Sequence, residues 1–313
     1  MVDRRSSKPT RRFDSGHKSR LSQIPPIAED QAGVFTRKQA RQAGFTSDQV
    51  HYRTRKGLWV PAAGQALCAA GTQLTVHQGG WAAWLTWPDA ILWGPSALVW
   101  QWPKVPRMRL GAVIVSLPTA RRRQRNLIPR VVVMDGEEVV HGPGGMMQRP
   151  ELAAVDALAF LDKPAAEALF AWLVTRHKFS PERFSLVVAS REGRRGVEEL
   201  RRYDLMMQLG VASTFEFDTV TLLLDAGFKD FETNATIELP GYPQFCVDIL
   251  FRYKKTIVEC DGRRYHQHDE AFETDRARDR ALQASGYKVL RVTWRTIHEE
   301  PEAFLAELRA ALA

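Results

Sequence analysis

Residues 245–268 read "FCVDILFRYKKTIVECDGRRYHQH" and contain the most informative pattern in the chain. Two apolar runs flank the short connection "FRYKK", a pattern that predicts two paired β-strands. Three acids interrupt this pattern: Asp248 lies within the first strand, and Glu259 and Asp261 close the second. Because side chains alternate along a strand, Glu259 and Asp261 share a face, and pairing of the two strands would bring Asp248 beside them.

Carboxylates that converge on one point repel each other unless a cation lies between them, and hard oxygen ligands of this kind suit Mg²⁺ or Mn²⁺. Such an ion lowers the pKa of bound water and stabilises charge on a phosphate. We therefore predict that Asp248 binds a metal ion, and that Glu259 and Asp261 bind it or orient the attacking water. The carbonyl of Cys260 is a candidate further ligand. Glu216 is a peripheral ligand or a support, unless it is simply exposed on an amphipathic helix.

The segments around these acids switch between helical and strand patterns. They predict the order α-β-β-β-α-β-α, a mixed α/β domain over residues 214–313. Asp275 and Arg278, three residues apart on the middle helix, are expected to form an intrahelical pair. The first helix carries four apolar residues on one side, Phe217, Val220, Leu224 and Phe228. In chain order the segments are "STFEFDTVTLLLDAGF", "ATIEL", "QFCVDILF", "KTIVECD", "DEAFETDRARDRALQASG", "YKVLRVTW" and "EPEAFLAELRAALA".

This order and spacing resemble the PD-(D/E)XK nuclease superfamily, whose core is αβββαβ and which contains restriction-endonuclease-like domains. Within it, "VDILFRYKKTIVECDGRRYHQHDEAFETDRARDRALQASGYKVLRVTW" is similar to the DUF559 family, a relative of the very-short-patch-repair DNA mismatch endonucleases. The shared signature is a strand Asp, an acid-rich strand end, then Gly and a nearby His, here Asp248, Glu259, Asp261, Gly262 and His266. The resemblance implies a metal-dependent nuclease domain.

One position departs from the superfamily pattern, because Asp261 replaces the Lys found two residues after the strand acid. That Lys usually positions the attacking water or stabilises charge. The mismatch-endonuclease branch also lacks it, and a His contributes there instead. The resemblance thus implies His266 as a general acid/base or phosphate contact, with a structural His as the alternative. Positive charge toward the phosphate could come from four arginines, Arg263, Arg264, Arg278 and Arg291.

Residues 24–71 have the outline of a winged helix-turn-helix domain: helix, Gly turn, helix, hairpin. Thr36 can cap a helix over 37–43, and Thr46 or Ser47 can cap the next one. The segment "LWVPAAGQALCA" then predicts a two-stranded wing. The side chains expected to reach DNA bases and phosphates are Ser47, Gln49, His51, Arg53, Arg55 and Lys56. The alternative is a structural three-helix unit with a solvated polar face.

Residues 33–70 also resemble the winged-helix N-terminal domain of AbiEi-type antitoxins from type IV toxin–antitoxin systems. The middle region, 72–213, contains "ELAAVDALAFLD" and is similar to the continuation of that family. It predicts a mixed α/β domain with strands in "MRLGAVIVSLP" and "NLIPRVVVMDGEEVV", followed by helices over 151–162, 164–176 and 181–190. Its basic loop either contacts phosphate or is solvated, and it contains Arg121, Arg122 and Arg123. The Trp-rich segment 74–102 predicts core helices, with a base-stacking platform as the alternative.

Basic charge is concentrated in the N-terminal two thirds. The net charge is +8, but residues 1–213 hold 31 Lys and Arg against 18 Asp and Glu, while residues 214–313 hold 13 against 18. A basic surface favours nucleic acid, although solubility alone also explains such charge. Residues 1–23 are expected to be a disordered basic arm. The three scattered cysteines and the lack of a long apolar run predict a cytoplasmic protein that does not enter a membrane.

Two functions from different classes are consistent with these features. The first is a metal-dependent DNA endonuclease whose winged helix holds DNA. The second is a DNA-binding transcriptional regulator or type IV antitoxin with a degenerate nuclease-fold domain and a toxin or another protein as partner. The missing Lys favours the second function. The three mutually repelling acids, Asp248, Glu259 and Asp261, favour the first.

Overall fold

The structure is a computed structural model that describes residues 24–108, 110–261 and 278–313. These residues form two compact units, one ending at Ala154 and one beginning at Val155. Across the described ranges, no helix is both long and apolar enough to cross a lipid bilayer.

The first unit begins with three helices and a hairpin. The second and third helices start with capping boxes, Thr36 with Gln39 and Thr46 with Gln49. Each Thr hydroxyl accepts the Gln backbone N–H, and each Gln side chain accepts the Thr backbone N–H, which satisfies donors that helix ends leave open. The predicted helix pair and wing are confirmed. The elements are α1 (Ile27–Asp30), α2 (Arg37–Gln42), α3 (Ser47–Arg55) and the antiparallel strands β1 (Trp59–Pro61) and β2 (Leu67–Ala69).

A five-stranded mixed sheet follows, with strand order β5-β4-β3-β7-β6. Two short strands, β3 and β7, are absent from the sequence prediction. Trp84, Trp87 and Trp93 are buried, which confirms that the Trp-rich segment forms core. The elements are α4 (Val76–Thr86), β3 (Ile91–Leu92), α5 (Pro95–Gln101), β4 (Val113–Leu117), β5 (Leu127–Val131), β6 (Val139–His141) and β7 (Met146–Gln148).

The wing is fixed to this sheet through a tight turn at Gly64. The backbone N–H of Gly64 donates to the carbonyl of Arg125 at 2.9 Å, and Asn126 Nδ2 donates to the carbonyl of Ala62 at 2.9 Å. Gly64 has a φ of +51°, and a Cβ there would lie 2.2 Å from Oγ1 of Thr86. Only glycine satisfies both the left-handed conformation and this close approach.

A helical segment connects the first unit to the C-terminal sheet. Its buried ion pair joins Asp156 and Arg191 at 2.9 Å, with side chains 6% and 1% exposed. The three predicted helices are confirmed within two residues at each end, and a fourth helix follows them. The helices are α6 (Pro150–Phe160), α7 (Lys163–Thr175), α8 (Pro181–Ala189) and α9 (Val197–Gln208).

The C-terminal part of the second unit follows the predicted order α-β-β-β-α-β and ends with two helices where one was predicted. Its sheet has the order β8-β9-β10-β11, antiparallel except for the parallel pair β10–β11. The described part of its middle helix, residues 278–284, is called α11. The elements are α10 (Thr214–Asp225), β8 (Glu232–Ile237), β9 (Phe245–Phe251), β10 (Thr256–Cys260), α11, β11 (Lys288–Val292), α12 (Trp294–Glu299) and α13 (Pro301–Leu312).

Two local predictions in this unit were wrong. The last strand ends at Val292 rather than Trp294, because Thr293 caps α12 through a capping box with Thr296. On α10 the predicted apolar side included Leu224, which is 40% exposed. The neighbouring Leu223 is fully buried instead, so the buried stripe is rotated by one residue.

The sheet and α11 share one hydrophobic core. Ala281 and Leu282 of α11 pack with strand residues in a buried cluster. The strand residues of this cluster are Ala235, Ile237, Phe245, Val247, Leu250 and Ile257. This packing fixes α11 beside β9 and β10, at the position from which Arg278 reaches the acidic residues.

Candidate active site

The hairpin of β9 and β10 brings two of the predicted acids together. The strands pair with Leu250 opposite Ile257 and Ile249 opposite Val258, so the same register sets Asp248 opposite Glu259. Directly opposite residues of an antiparallel pair lie close enough for their side chains to interact. Oδ2 of Asp248 also accepts the backbone N–H of Cys260 at 2.7 Å, which orients this carboxylate toward the end of β10.

Burial and mutual repulsion perturb both carboxylates. Burial raises the pKa of Glu259 to about 7, with a further contribution from the negative charge of Asp248. Burial also raises the pKa of Asp248, and the charge of Glu216 adds to this. The neighbouring Glu259 side chain lowers the pKa of Asp248, whereas the Asp248 side chain raises that of Glu259. Burial and nearby negative charge thus disfavour the ionised form of both carboxylates, which is the form that a bound cation would favour.

Arg278 holds the Glu259 carboxylate from α11. Its Nη2 lies 2.5 Å from Oε1 of Glu259 and also donates to the carbonyl of Cys246 at 2.9 Å. The expected intrahelical partner of Arg278, Asp275, lies outside the described residues. Nearby, Nη2 of Arg291 contacts the Asp279 carboxylate oxygens at 2.6 and 2.8 Å. These ion pairs line an open cavity of about 250 Å³ together with Cys260 and Asp261.

Asp261 and Cys260 occupy the end of β10 differently. Asp261 is exposed, just beyond the strand, and its backbone N–H donates to the carbonyl of Val292 at 2.8 Å. Cys260 is partly buried, and its thiol lies 3.5 Å from Oγ1 of Thr219 on α10. Burial raises the pKa of this thiol. Asp261 thus faces solvent at the cavity, whereas the Cys260 side chain points into the protein and only its backbone is suited to a metal.

Glu216 caps the N-terminus of α10 with its side chain. Its Oε2 accepts the backbone N–H of Ala212 and its Oε1 accepts the hydroxyl of Ser213, both at 2.8 Å. Ser213 in turn accepts the backbone N–H of Glu216 at 3.1 Å. This is a capping arrangement, and the sequence signal for it, Ser-x-x-Glu, is present at 213–216. Glu216 is still near enough to raise the pKa of Asp248.

The donor set fits a divalent cation of the magnesium type. Among the described residues, no group of three or more His, Cys, Asp or Glu side chains is arranged to hold a metal ion. Mg²⁺, however, is usually bound through one or two carboxylates and keeps several waters. The observation that supports the fit is the position of Asp248 opposite Glu259 in the strand pair, because a cation would relieve the repulsion between these two carboxylates. Three further predicted site residues, His266, Arg263 and Arg264, lie outside the described residues.

The predicted DNA-contacting residues of α3 divide into two groups. Ser47, His51, Arg55 and Lys56 are exposed, and Gln49 is exposed although its side chain caps Thr46. Arg53 does not fit the prediction of a DNA-contacting side chain, because this residue is only 9% exposed. Its guanidinium lies 4.9 Å from the ring centre of Phe45 and 5.4 Å from that of Trp59. It packs inside the first unit because α3 turns positions 50 and 53 inward together.

The basic loop before β5 is exposed. Arg121, Arg122 and Arg123 all lie on the surface. Arg121 faces Asp89 at 3.7 Å, with both side chains largely solvated, and such pairs contribute little to stability. The structure therefore leaves these three cations accessible to a ligand.

A comparison with protein families matches the C-terminal part of the chain. The family model REase_MTES_1575 matches residues 227–312. This segment is a restriction-endonuclease-like domain. It contains β8 to β11, Asp248, Glu259 and Arg278, so the predicted nuclease-like fold of this region is confirmed. A search among curated proteins found none that matches the chain. The resemblance of the N-terminal part to AbiEi-type antitoxins stays a prediction.

Proposed function

We propose that this protein is a metal-dependent DNA endonuclease that hydrolyses phosphodiester bonds at the acidic end of β10. The observation that carries the proposal is the partly buried pair of Asp248 and Glu259, set opposite each other within a restriction-endonuclease-like domain. Two partly buried carboxylates that lie opposite each other, both with a raised pKa, indicate a functional site. Burial of repelling acids costs stability, which a purely structural strand end would not require.

In this proposal, Asp248 and Glu259 hold Mg²⁺ or Mn²⁺ with help from the carbonyl of Cys260. When bound, such an ion supplies an activated water and stabilises negative charge on the phosphate. The N–H of Cys260 orients Asp248, and Arg278 orients Glu259. Asp261 is exposed at the cavity and is suited to orient the attacking water.

Charge complementarity supports a role of the first unit in holding DNA. The basic excess of the chain lies in residues 1–213, whereas the restriction-endonuclease-like domain is rich in acids. Phosphate neutralisation by Lys and Arg dominates nucleic-acid affinity, so an acidic site benefits from a basic surface elsewhere in the chain. The exposed cations suited to this role are Arg55, Lys56, Arg121, Arg122 and Arg123.

The test is cleavage of supercoiled plasmid and of labelled duplexes, matched and mismatched, in Mn²⁺, Mg²⁺ or EDTA. Wild type should nick DNA only with metal, and Asp248→Asn should lose at least about 100-fold in rate, since it removes a ligand of the proposed ion. The matched control is Asp225→Asn, an exposed Asp at the end of α10. Equal nicking by wild type and Asp248→Asn, or none by wild type on any substrate, would reject the proposal.

A further inference from the structure

A second cavity of the C-terminal unit lies at the other end of β10 from the acids. It is formed by the loop after α10, the turn between β9 and β10, and the end of α13. Its volume is about 290 Å³, and its lining includes Phe228, Phe251, Tyr253, Lys229 and Lys254. The size is close to the lower limit of about 300 Å³ for small-ligand sites.

Aromatic rings form the apolar part of this cavity. Phe251 is buried, and its ring centre lies 6.0 Å from that of Phe228 and 5.5 Å from that of Phe231, so the floor is fixed. Tyr253 is 96% exposed in the turn between the strands. A large, fully exposed ring beside a fixed aromatic floor offers stacking area to a planar ligand.

Cations surround these rings. Lys229 and Lys254 are exposed, and neither has an ion pair within the described residues. Their neighbour Arg252, by contrast, is neutralised by two contacts of 2.6 Å to Glu232. Arg309 adds a guanidinium 5.9 Å from the ring centre of Phe228. Asp230 also lines the cavity, so the lining keeps a positive balance.

We propose that this aromatic-basic cavity binds one nucleotide unit, with the base stacked on Tyr253 and Phe228 and the phosphate near Lys229 and Lys254. Such a combination of ring faces and cations is how proteins bind unpaired nucleic acid without reading its sequence. The ligand source rests on the proposed nuclease function: it is a single strand of the bound DNA. The five residues of β10 separate the cavity from the acids by about 13 Å, the axial rise of about four nucleotides.

The test uses the full-length chain with Asp248→Asn, so that the probe is not cut, in EDTA. Fluorescence anisotropy reports binding of a short labelled oligothymidylate and, in parallel, of a duplex. Tyr253→Ala should weaken single-strand binding about 5- to 100-fold, and Tyr253→Phe should restore it. Changing both Lys229 and Lys254 to Gln should reduce the salt slope of binding by about 1.4, since each single-strand phosphate contact contributes about 0.7.

Matched controls separate the cavity from the surface in general. Tyr242→Ala removes another tyrosine of this unit, 51% exposed and outside the cavity, and should change nothing. Competition by free thymidine monophosphate identifies the source. If thymidine monophosphate competes as well as the unlabelled oligonucleotide does, the ligand of the same cavity is a mononucleotide. If thymidine monophosphate competes only at much higher concentrations than the oligonucleotide, the ligand of the cavity is a nucleic-acid strand.

The inference is overturned if Tyr253→Ala and the double Lys variant bind both probes as tightly as their parent. That outcome would leave metal-dependent nicking by wild type untouched. Conversely, absence of nicking together with a Tyr253-dependent loss of single-strand binding would reject the nuclease proposal and keep the cavity. The two ideas therefore fail separately.

Discussion

In metal-free buffer, Glu259→Gln should remove most of the pH dependence of unfolding between pH 5 and 7. Burial and the charge of Asp248 raise the pKa of Glu259 from its ordinary 4.5 to about 7 in the folded protein. The folded state therefore holds this proton more tightly than the unfolded chain. The stability that this contributes is complete below the unfolded pKa and is lost as the pH rises through the folded one.

The size of the effect follows from the same pKa difference. Each pH unit between the two values changes the free energy of unfolding by about 1.4 kcal/mol per proton, so the rise from 4.5 to about 7 corresponds to about 3 kcal/mol in total. The Glu259 side chain is only 18% exposed, and solvent screening reduces this little. Between pH 5 and 7 the wild-type free energy of unfolding should fall by about 2 kcal/mol through this residue.

Urea unfolding, followed by tryptophan fluorescence in EDTA at several pH values, measures this slope. The matched control is Glu232→Gln, because Glu232 lies in the same sheet and also pairs with an arginine, Arg252, at 2.6 Å. The hydrogen bond from Arg252 lowers the pKa of Glu232, so that variant should keep the wild-type slope. An unchanged slope in Glu259→Gln would show that Glu259 does not have the raised pKa on which this prediction depends. Adding Mn²⁺ at pH 7 should stabilise wild type and leave Glu259→Gln nearly unchanged.

Three further predictions concern stability elsewhere. Burial raises the pKa of Tyr203 to about 12, so wild type should lose stability as the pH rises from 10 to 12, and Tyr203→Phe should flatten this loss in urea melts. Gly64→Ala should lower the free energy of unfolding by about 1–3 kcal/mol more than Gly57→Ala: both positions have positive φ, but only Gly64 has a neighbouring side chain in the way. Arg53→Ala should cost about 1–3 kcal/mol in unfolding experiments, whereas exposed Arg55→Ala should change stability by under about 0.5 kcal/mol and weaken DNA binding.

The order of elements could be predicted because the hydrophobic period changes clearly at each boundary. Strands such as "QFCVDILF" and "KTIVEC" are bounded by turn residues, and their helical neighbours have capping signals. The pairing of Asp248 with Glu259 followed from the short connection between their strands. Very short strands and helices could not be predicted from hydrophobic periodicity. A two-residue strand such as Ile91–Leu92 has no period, and the capping box of Thr293 begins directly where an apolar strand ends.

The environment of a long polar side chain could not be predicted from the sequence when its partners lie outside its own helix or strand. Arg53 has the composition of a DNA contact, but the rings that cover it belong to Phe45 and Trp59 on either side of α3. Glu216 is the opposite case. Its capping role is encoded in the local pattern Ser-x-x-Glu that it forms with Ser213. Where a local capping motif accounts for all the hydrogen bonds of a carboxylate, it is a better predictor of that side chain's role than nearness to other acids.

Arg278 supplies positive charge near the position where the resemblance to the PD-(D/E)XK superfamily leads one to expect a Lys. At that strand position the chain has Asp261, which is exposed and adds negative charge to the cavity. The guanidinium of Arg278 on α11 contacts Glu259 on β10. The same guanidinium donates to the carbonyl of Cys246 on β9. One side chain thus braces the two strands that carry the acids and offsets part of the cost of burying them. The replacement at 261 therefore changes the element from which positive charge reaches these acids and does not by itself remove it.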